Sequence, residues 1–234
     1  MTIRKVIVGL TLSLLMGNGL AVAADYEKGF QAFQQGVYKV ALAEWVPLAE
    51  QGDIDSQNTL AALYKLGLGV KKNPETAVKW YRLAAEQGDA AGQYGLATMY
   101  ADGEGVPQDY DAALKWFNLA AAQGDVAAQF NLGLMYDNGQ GVLENDETAV
   151  KWYTLSATQG LAEAQANLAA MYQHGNGVAI DIDRAYMWYN ISAYGGNELS
   201  AKNKQLLANG MDAAQLVALQ TLSNTCLASG YTDC

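Results

Sequence analysis

"GEGVPQDYDAALKWFNLAAAQGD", residues 103–125, carries two close glycines, then a tryptophan, then a closing Gln-Gly-Asp. The same residue types return at the same offsets along the chain. Gly67, Gly103, Gly139 and Gly175 lie 36 apart, as do Trp80, Trp116, Trp152 and Trp188, and Gly52, Gly88, Gly124, Gly160 and Gly196. A fixed period of this size is the signature of a repeat architecture, in which each unit is one supersecondary element that buries its apolar face only by stacking on its neighbours.

Residues 51–86 show the physical content of one unit. Gly52 suits the positive φ just past a helix end. Asp53 is placed to cap the next helix, as are Asp89 and Asp125; Leu161 holds that place in the fourth copy and offers no cap. The first helix repeats apolar residues at Leu60, Leu63 and Tyr64 and their equivalents, a spacing that puts them on one face. Small residues at Ser56, Gly92, Ala128 and Ala164 allow close helix approach. Gln57, Gln93, Gln129 and Gln165 are expected to bond backbone or a neighbouring unit rather than a ligand. The helix ends in a Gly-x-Gly-Val turn, Gly67-Leu68-Gly69-Val70 and its copies, where two glycines permit left-handed angles. It lacks the strand and the Gly-Lys-Ser/Thr ending of a phosphate loop. Asn73, Asp109, Asn145 and Asp181 are N-caps for the second helix, and Pro74 stands at the first helical position. Ala77, Trp80, Tyr81, Ala84 and Ala85 then form one apolar stripe. Its aromatic members read as packing, so Trp116→Ala is expected to cost about 3–5 kcal/mol.

The chain has 234 residues, 51% of them hydrophobic, with 14 basic and 24 acidic side chains. Residues 1–24 read as a cleaved secretory signal. Arg4 and Lys5 precede an apolar run from Val6 to Met16, and Ala21-Val22-Ala23-Ala24 supplies a cleavage site near Ala24. An uncleaved anchor is the alternative, but Gly17-Asn18-Gly19 interrupts the run, which is short against the roughly 20 residues of a span. Loss of this segment removes two bases and no acid, leaving 12 basic against 24 acidic residues. Such a charge repels nucleic acid and anionic membrane surfaces. Cys226 and Cys234 are an even pair, which in an exported protein suggests a disulfide, with two free thiols as the alternative.

The joint pattern A-x-x-x-L-x-x-[LM]-Y-x-x-G-x-G-V followed by A-x-x-W-[YF]-x-x-[AS]-A-x-x-G resembles the Sel-one-like repeat (SLR) family, a cousin of tetratricopeptide repeats. Four copies, 51–86, 87–122, 123–158 and 159–194, run without insertion. Residues 25–50 look like a degenerate N-terminal hairpin, with Trp45 one place off register and the turn reduced to Gly36-Val37. Residues 195–234 look like C-terminal capping helices, over Glu198 to Ala208 and Asp212 to Leu227. The resemblance implies an all-α fold, an α/α right-handed superhelix of stacked helix hairpins; the leader, cleaved near Ala24, makes the expected location the periplasm or the exterior, as a secreted protein. The resemblance also implies a protein- or peptide-binding adaptor. Some exported members carry C-x7-C disulfides within their repeats, and penicillin-binding or β-lactamase activity is attributed to a few of these. Here that spacing occurs once, in the tail, so the activity is not carried over; binding or hydrolysis of cell-wall material is the alternative reading.

Candidate chemistry is sparse. His174, the one histidine, reads as a C-terminal dipole partner. Asp53, Asp55, Asp181 and Asp183 lack a calcium-loop pattern. No cofactor, metal or catalytic residue is expected. The positions that vary between copies on the first helix are the candidates for specificity: Asn58, Lys65, Tyr94, Phe130, Asn131, Asp137 and Gln173. Tyr94 and Phe130 are either ligand anchors or packing between units. A groove of this kind suits a peptide or extended protein segment, bound by a monomer with no membrane-integral part after signal cleavage.

Overall fold

A computed structural model describes residues 24–232 and 234. The expected signal segment, residues 1–24, lies outside the described residues except for Ala24. Among those described the fold is all-α: α1 Tyr26–Gln34, α2 Tyr38–Glu50, α3 Ile54–Leu66, α4 Pro74–Glu86, α5 Ala90–Asp102, α6 Tyr110–Ala122, α7 Val126–Asn138, α8 Asp146–Ala157, α9 Ala162–His174, α10 Ile182–Tyr194, α11 Glu198–Ala208 and α12 Ala213–Ala228. Each helix from α1 to α10 packs on the next, so α3/α4, α5/α6, α7/α8 and α9/α10 are four hairpins in a continuous stack.

The punctuation follows from local chemistry. Asp53, Asp89 and Asp125 each accept a bond from the backbone N–H three residues on, at 2.7–2.8 Å. Leu161 starts α9 with no side-chain cap. Asn73, Asp109, Asn145 and Asp181 cap the second helices in the same way. In the turn, Gly67 and Gly69 take φ of +76° and +72°, and their equivalents repeat this, in the region where a Cβ is resisted.

The glutamine columns tie one hairpin to the next. Gln57 Nε2 donates to the Ala49 carbonyl at 3.0 Å, and its Oε1 accepts from Gln87 Nε2 at 2.8 Å. Gln93 pairs in the same way with Ala85 and Gln123, and Gln129 with Ala121 and Gln159. Gln87-Gly88-Asp89 and Gln123-Gly124-Asp125 therefore each have three tasks: the glutamine clamps the buried amide of its own hairpin's first helix, the glycine turns the chain and the aspartate caps the next helix. A buried amide whose oxygen and nitrogen are both paired avoids the desolvation penalty of an orphan.

Packing corrects the tryptophan assignment. Trp188 is buried, but Trp80, Trp116 and Trp152 are only half-buried. Each packs against a cluster shared between its own hairpin and the preceding one: Trp80 on that containing Trp45 and Leu60, Trp116 on that containing Val78 and Leu96, Trp152 on that containing Ala113 and Ala128. Their outer edges reach the surface. The fully enclosed ring of the second helix is the next residue, Phe117, Tyr153 or Tyr189.

The two ends depart from the repeat. At the N-terminal end Trp45 is fully buried and donates its indole N–H to the Tyr26 carbonyl at 3.1 Å. Gly29 lets α1 approach: a Cβ there would lie 2.5 Å from Trp45 Nε1. Glu44, nearly buried, pairs with Lys28 and accepts from the Asp25 N–H, which together hold its carboxyl below the usual carboxylate range. At the other end α12 packs on α10. The outer positions Lys79, Lys115 and Lys151 of the earlier units are exposed; their equivalent Met187 is buried, as are Asn190 and Ile191 beside it. A disulfide joins Cys226, buried on α12, to Cys234, with Cα atoms 4.8 Å apart.

Candidate functional site

Once capping, turning and packing have consumed the recurring residues, the variable positions of α3, α5, α7 and α9 remain. Asn58 on α3 donates to Asp89 Oδ2 of the next unit at 2.7 Å, and its Oδ1 is buried without a partner. Lys65 is half-buried, 4.0 Å from Glu104, whose carboxylate Lys72 holds at 2.8 Å. Tyr94 lies against Phe117 and Phe130 against Tyr153, ring centroids 5.9 Å apart in both pairs. Both rings are half-buried, so each is at once part of the packing and part of the surface. Burial raises the Tyr94 hydroxyl pKa, with Asp125 and Asp102 adding to the rise. Asn131 Nδ2 donates to the Ala127 carbonyl at 2.8 Å. Asp137 accepts the Tyr153 hydroxyl at 2.9 Å, and burial followed by that carboxylate pushes the phenol well up. Gln173 is half-buried on α9. The seven expected residues thus form a row along the stack rather than a single convergent pocket.

Sequence reasoning passed over a second row. The last residue of each first helix is exposed, giving Leu66, Asp102, Asn138 and His174, and Phe30 on α1 continues the same 36-residue column. A signal for it was present in the spacing, but these residues read as helix ends beside the turn glycines. Two concavities open on this row. One, of about 360 Å³, lies between α1 and α3, lined by Tyr26, Phe30, Phe33, Thr59, Ala62 and Leu66 among others, almost wholly apolar. The other, of about 330 Å³, lies between α5 and α7 and is polar, with Asp102, Gln108, Tyr110, Asn131 and Gln140 in its wall. Thr59, Ala62 and Leu63 in the first correspond to Asn131, Leu134 and Met135 in the second, so these are equivalent places two units apart with different linings.

The site offers shape, hydrogen bonding and charge. Among the described residues no three His, Cys, Asp or Glu side chains gather as a metal site would require, and His174 is exposed in the last turn of α9. No described helix is long and apolar enough to cross a membrane.

The Sel1 repeat profile matches residues 10–35, 54–89, 90–125, 126–161 and 162–197; the last four matches begin at the first residues of α3, α5, α7 and α9. The structure is similar to a Sel1 repeat protein from Oxalobacter formigenes, with 30% identity over 87% of this chain and 83% of that one and a TM-score of 0.74. It is also similar to a protective antigen of uropathogenic Escherichia coli that displays an SLR fold. There the identity is 34% and the TM-score 0.79, over 88% of this chain but 46% of that one, so the chain spans less than half of that protein. A sel1 repeat protein from Klebsiella pneumoniae, 24% identical over 78% of this chain and 91% of that one with a TM-score of 0.51, shares the fold. No curated protein matches the sequence.

Proposed function

The chain belongs to the Sel1 repeat family, and from that premise we propose that it is an exported protein- or peptide-binding adaptor whose partner lies along the concave face formed by the first helices. What carries the reading is the division between columns. The residues that recur every 36 positions are used up in caps, turns, the amide ladder and the core, whereas positions that vary, Asn58, Thr59, Leu66, Asp102 and Asn131 among them, line the two concavities. A surface whose scaffold repeats and whose lining does not is suited to recognise one extended ligand by a series of local contacts. The protein acts by binding and not by catalysis. Export is supported by the leader-like composition of residues 1–24 and by the Cys226–Cys234 disulfide, a bond that persists in oxidising compartments.

The test is co-purification from a periplasmic extract with two triple variants that alter opposite sides of the same three hairpins. Leu66→Ala, Asp102→Ala, Asn138→Ala changes the groove edge; Lys79→Ala, Lys115→Ala, Lys151→Ala changes the exposed side of the second helices. All six positions are exposed, so both variants are expected to fold. Loss of the partner in the first and retention in the second supports the reading; the reverse pattern refutes it.

A further inference from the structure

The groove changes character along its length. At the α1/α3 step its wall is apolar, with Phe30 and Leu66 exposed at 40% and 64% and Leu68 beside them. One unit further on, the places of Phe30 and Leu66 in the column are taken by Asp102, and on α7 by Asn138, with the half-buried Asp137 immediately before it. Neither of these aspartates takes part in an ion pair among the described residues, whereas Glu104 is already held by Lys72 and Lys65. The wider charge distribution has the same sense. Residues 25–86 carry seven basic against eight acidic side chains; residues 87–194 carry three basic (Lys115, Lys151, Arg184) against thirteen acidic. An apolar step at one end of the groove thus adjoins a stretch whose field attracts cations.

The geometry points to a directional ligand: a segment of a partner protein that seats apolar side chains between α1 and α3 and lays lysine or arginine over Asp102 and Asp137. This deepens the adaptor reading and rests on it. The occupant follows from charge complementarity. An acidic segment would set like charge against both carboxylates, and a purely apolar one would cover Asp102 without a counter-charge and Asp137 with only the Tyr153 hydroxyl to neutralise it; both arrangements cost free energy. Neighbouring helices pack at roughly 8–10 Å, and an extended chain advances about 3.3 Å per residue. The cationic residue therefore follows the apolar group after about three to six positions, one to two units along.

The experiment is selection of phage-displayed random dodecapeptides on the immobilised protein, residues 25–234, in low salt. Three variants are run beside it: Phe30→Ser with Leu66→Ser, Asp102→Asn with Asp137→Asn, and the second-helix control Lys79→Ala with Lys115→Ala, each checked for an unchanged thermal melt. The expected winners carry an apolar group and, about three to six residues away, Lys or Arg. The Ser variant loses the apolar preference and keeps the basic one, and the Asn variant does the opposite. A synthetic winner should weaken about tenfold or more on either variant and on raising salt for the charged half alone. Winners that need the groove residues but show no apolar–basic pattern overturn this inference and leave the adaptor reading standing. Winners that bind all variants equally, or no enrichment at all, overturn both.

Discussion

Gln129 and Gln165 occupy the same place in successive units and differ in one bond, which lets the amide ladder be measured against an internal control. Gln129 Nε2 donates to the Ala121 carbonyl at 3.3 Å and Oε1 accepts from Gln159 at 2.7 Å. Gln165 donates to the Ala157 carbonyl at 3.1 Å, but the place of Gln159 in the next unit is taken by Gly195, so the clamp is missing there. Both side chains are buried, and leucine conserves most of their volume. Gln129→Leu removes two hydrogen bonds. The Ala121 carbonyl keeps its bond from the Gly124 N–H at 3.0 Å, and the exposed Gln159 amide turns to water, so neither is orphaned. At about 0.5–1.5 kcal/mol net per bond, the expected cost is about 1–3 kcal/mol for Gln129→Leu and roughly half that for Gln165→Leu. Urea unfolding followed by far-ultraviolet circular dichroism measures both, and equal slopes confirm that the same surface is exposed in each variant. Equal losses at the two positions, or a gain at Gln129, would refute the claim that the closing glutamine stabilises the buried amide of its own hairpin.

Three further outcomes follow from the packing. Phe117→Ala should cost about 3–5 kcal/mol, because the ring is fully enclosed, whereas Trp116→Ala should cost roughly half that, because its outer edge is in water; chemical denaturation of the two variants gives the order. Tyr81, Tyr94, Tyr153 and Tyr189 all have raised phenol pKa values, burial being the first cause in each. The folded state therefore holds these protons longer than the unfolded chain does. Their contribution is full below the ordinary tyrosine pKa near 10 and is lost as pH rises beyond it, so stability should fall through the alkaline range, and Tyr153→Phe should flatten that fall in a series of melts. Reduction of Cys226–Cys234 should lower the stability of α11 and α12 by about 2–3 kcal/mol in the chain-entropy account, read as faster amide exchange confined to the C-terminal helices.

The period of 36 determined the hairpins, their caps and their left-handed turns, because these depend on residues at most a few places apart: Asp53 with the N–H of Ser56, and Gly67 with its own φ. It also marked the glutamines as structural, since a residue that recurs in every unit meets the same surroundings in every unit. Degree of burial was beyond its reach. Trp116 and Phe117 are adjacent and both aromatic, and which of them is sealed depends on how far one hairpin is rotated against the next, a property of the stack and not of the helix. The groove was half legible. The varied columns were visible as variation, but the exposed row from Phe30 through Leu66 to Asp102 took its meaning only when α1, α3 and α5 stood side by side and put residues 36 apart next to one another in space.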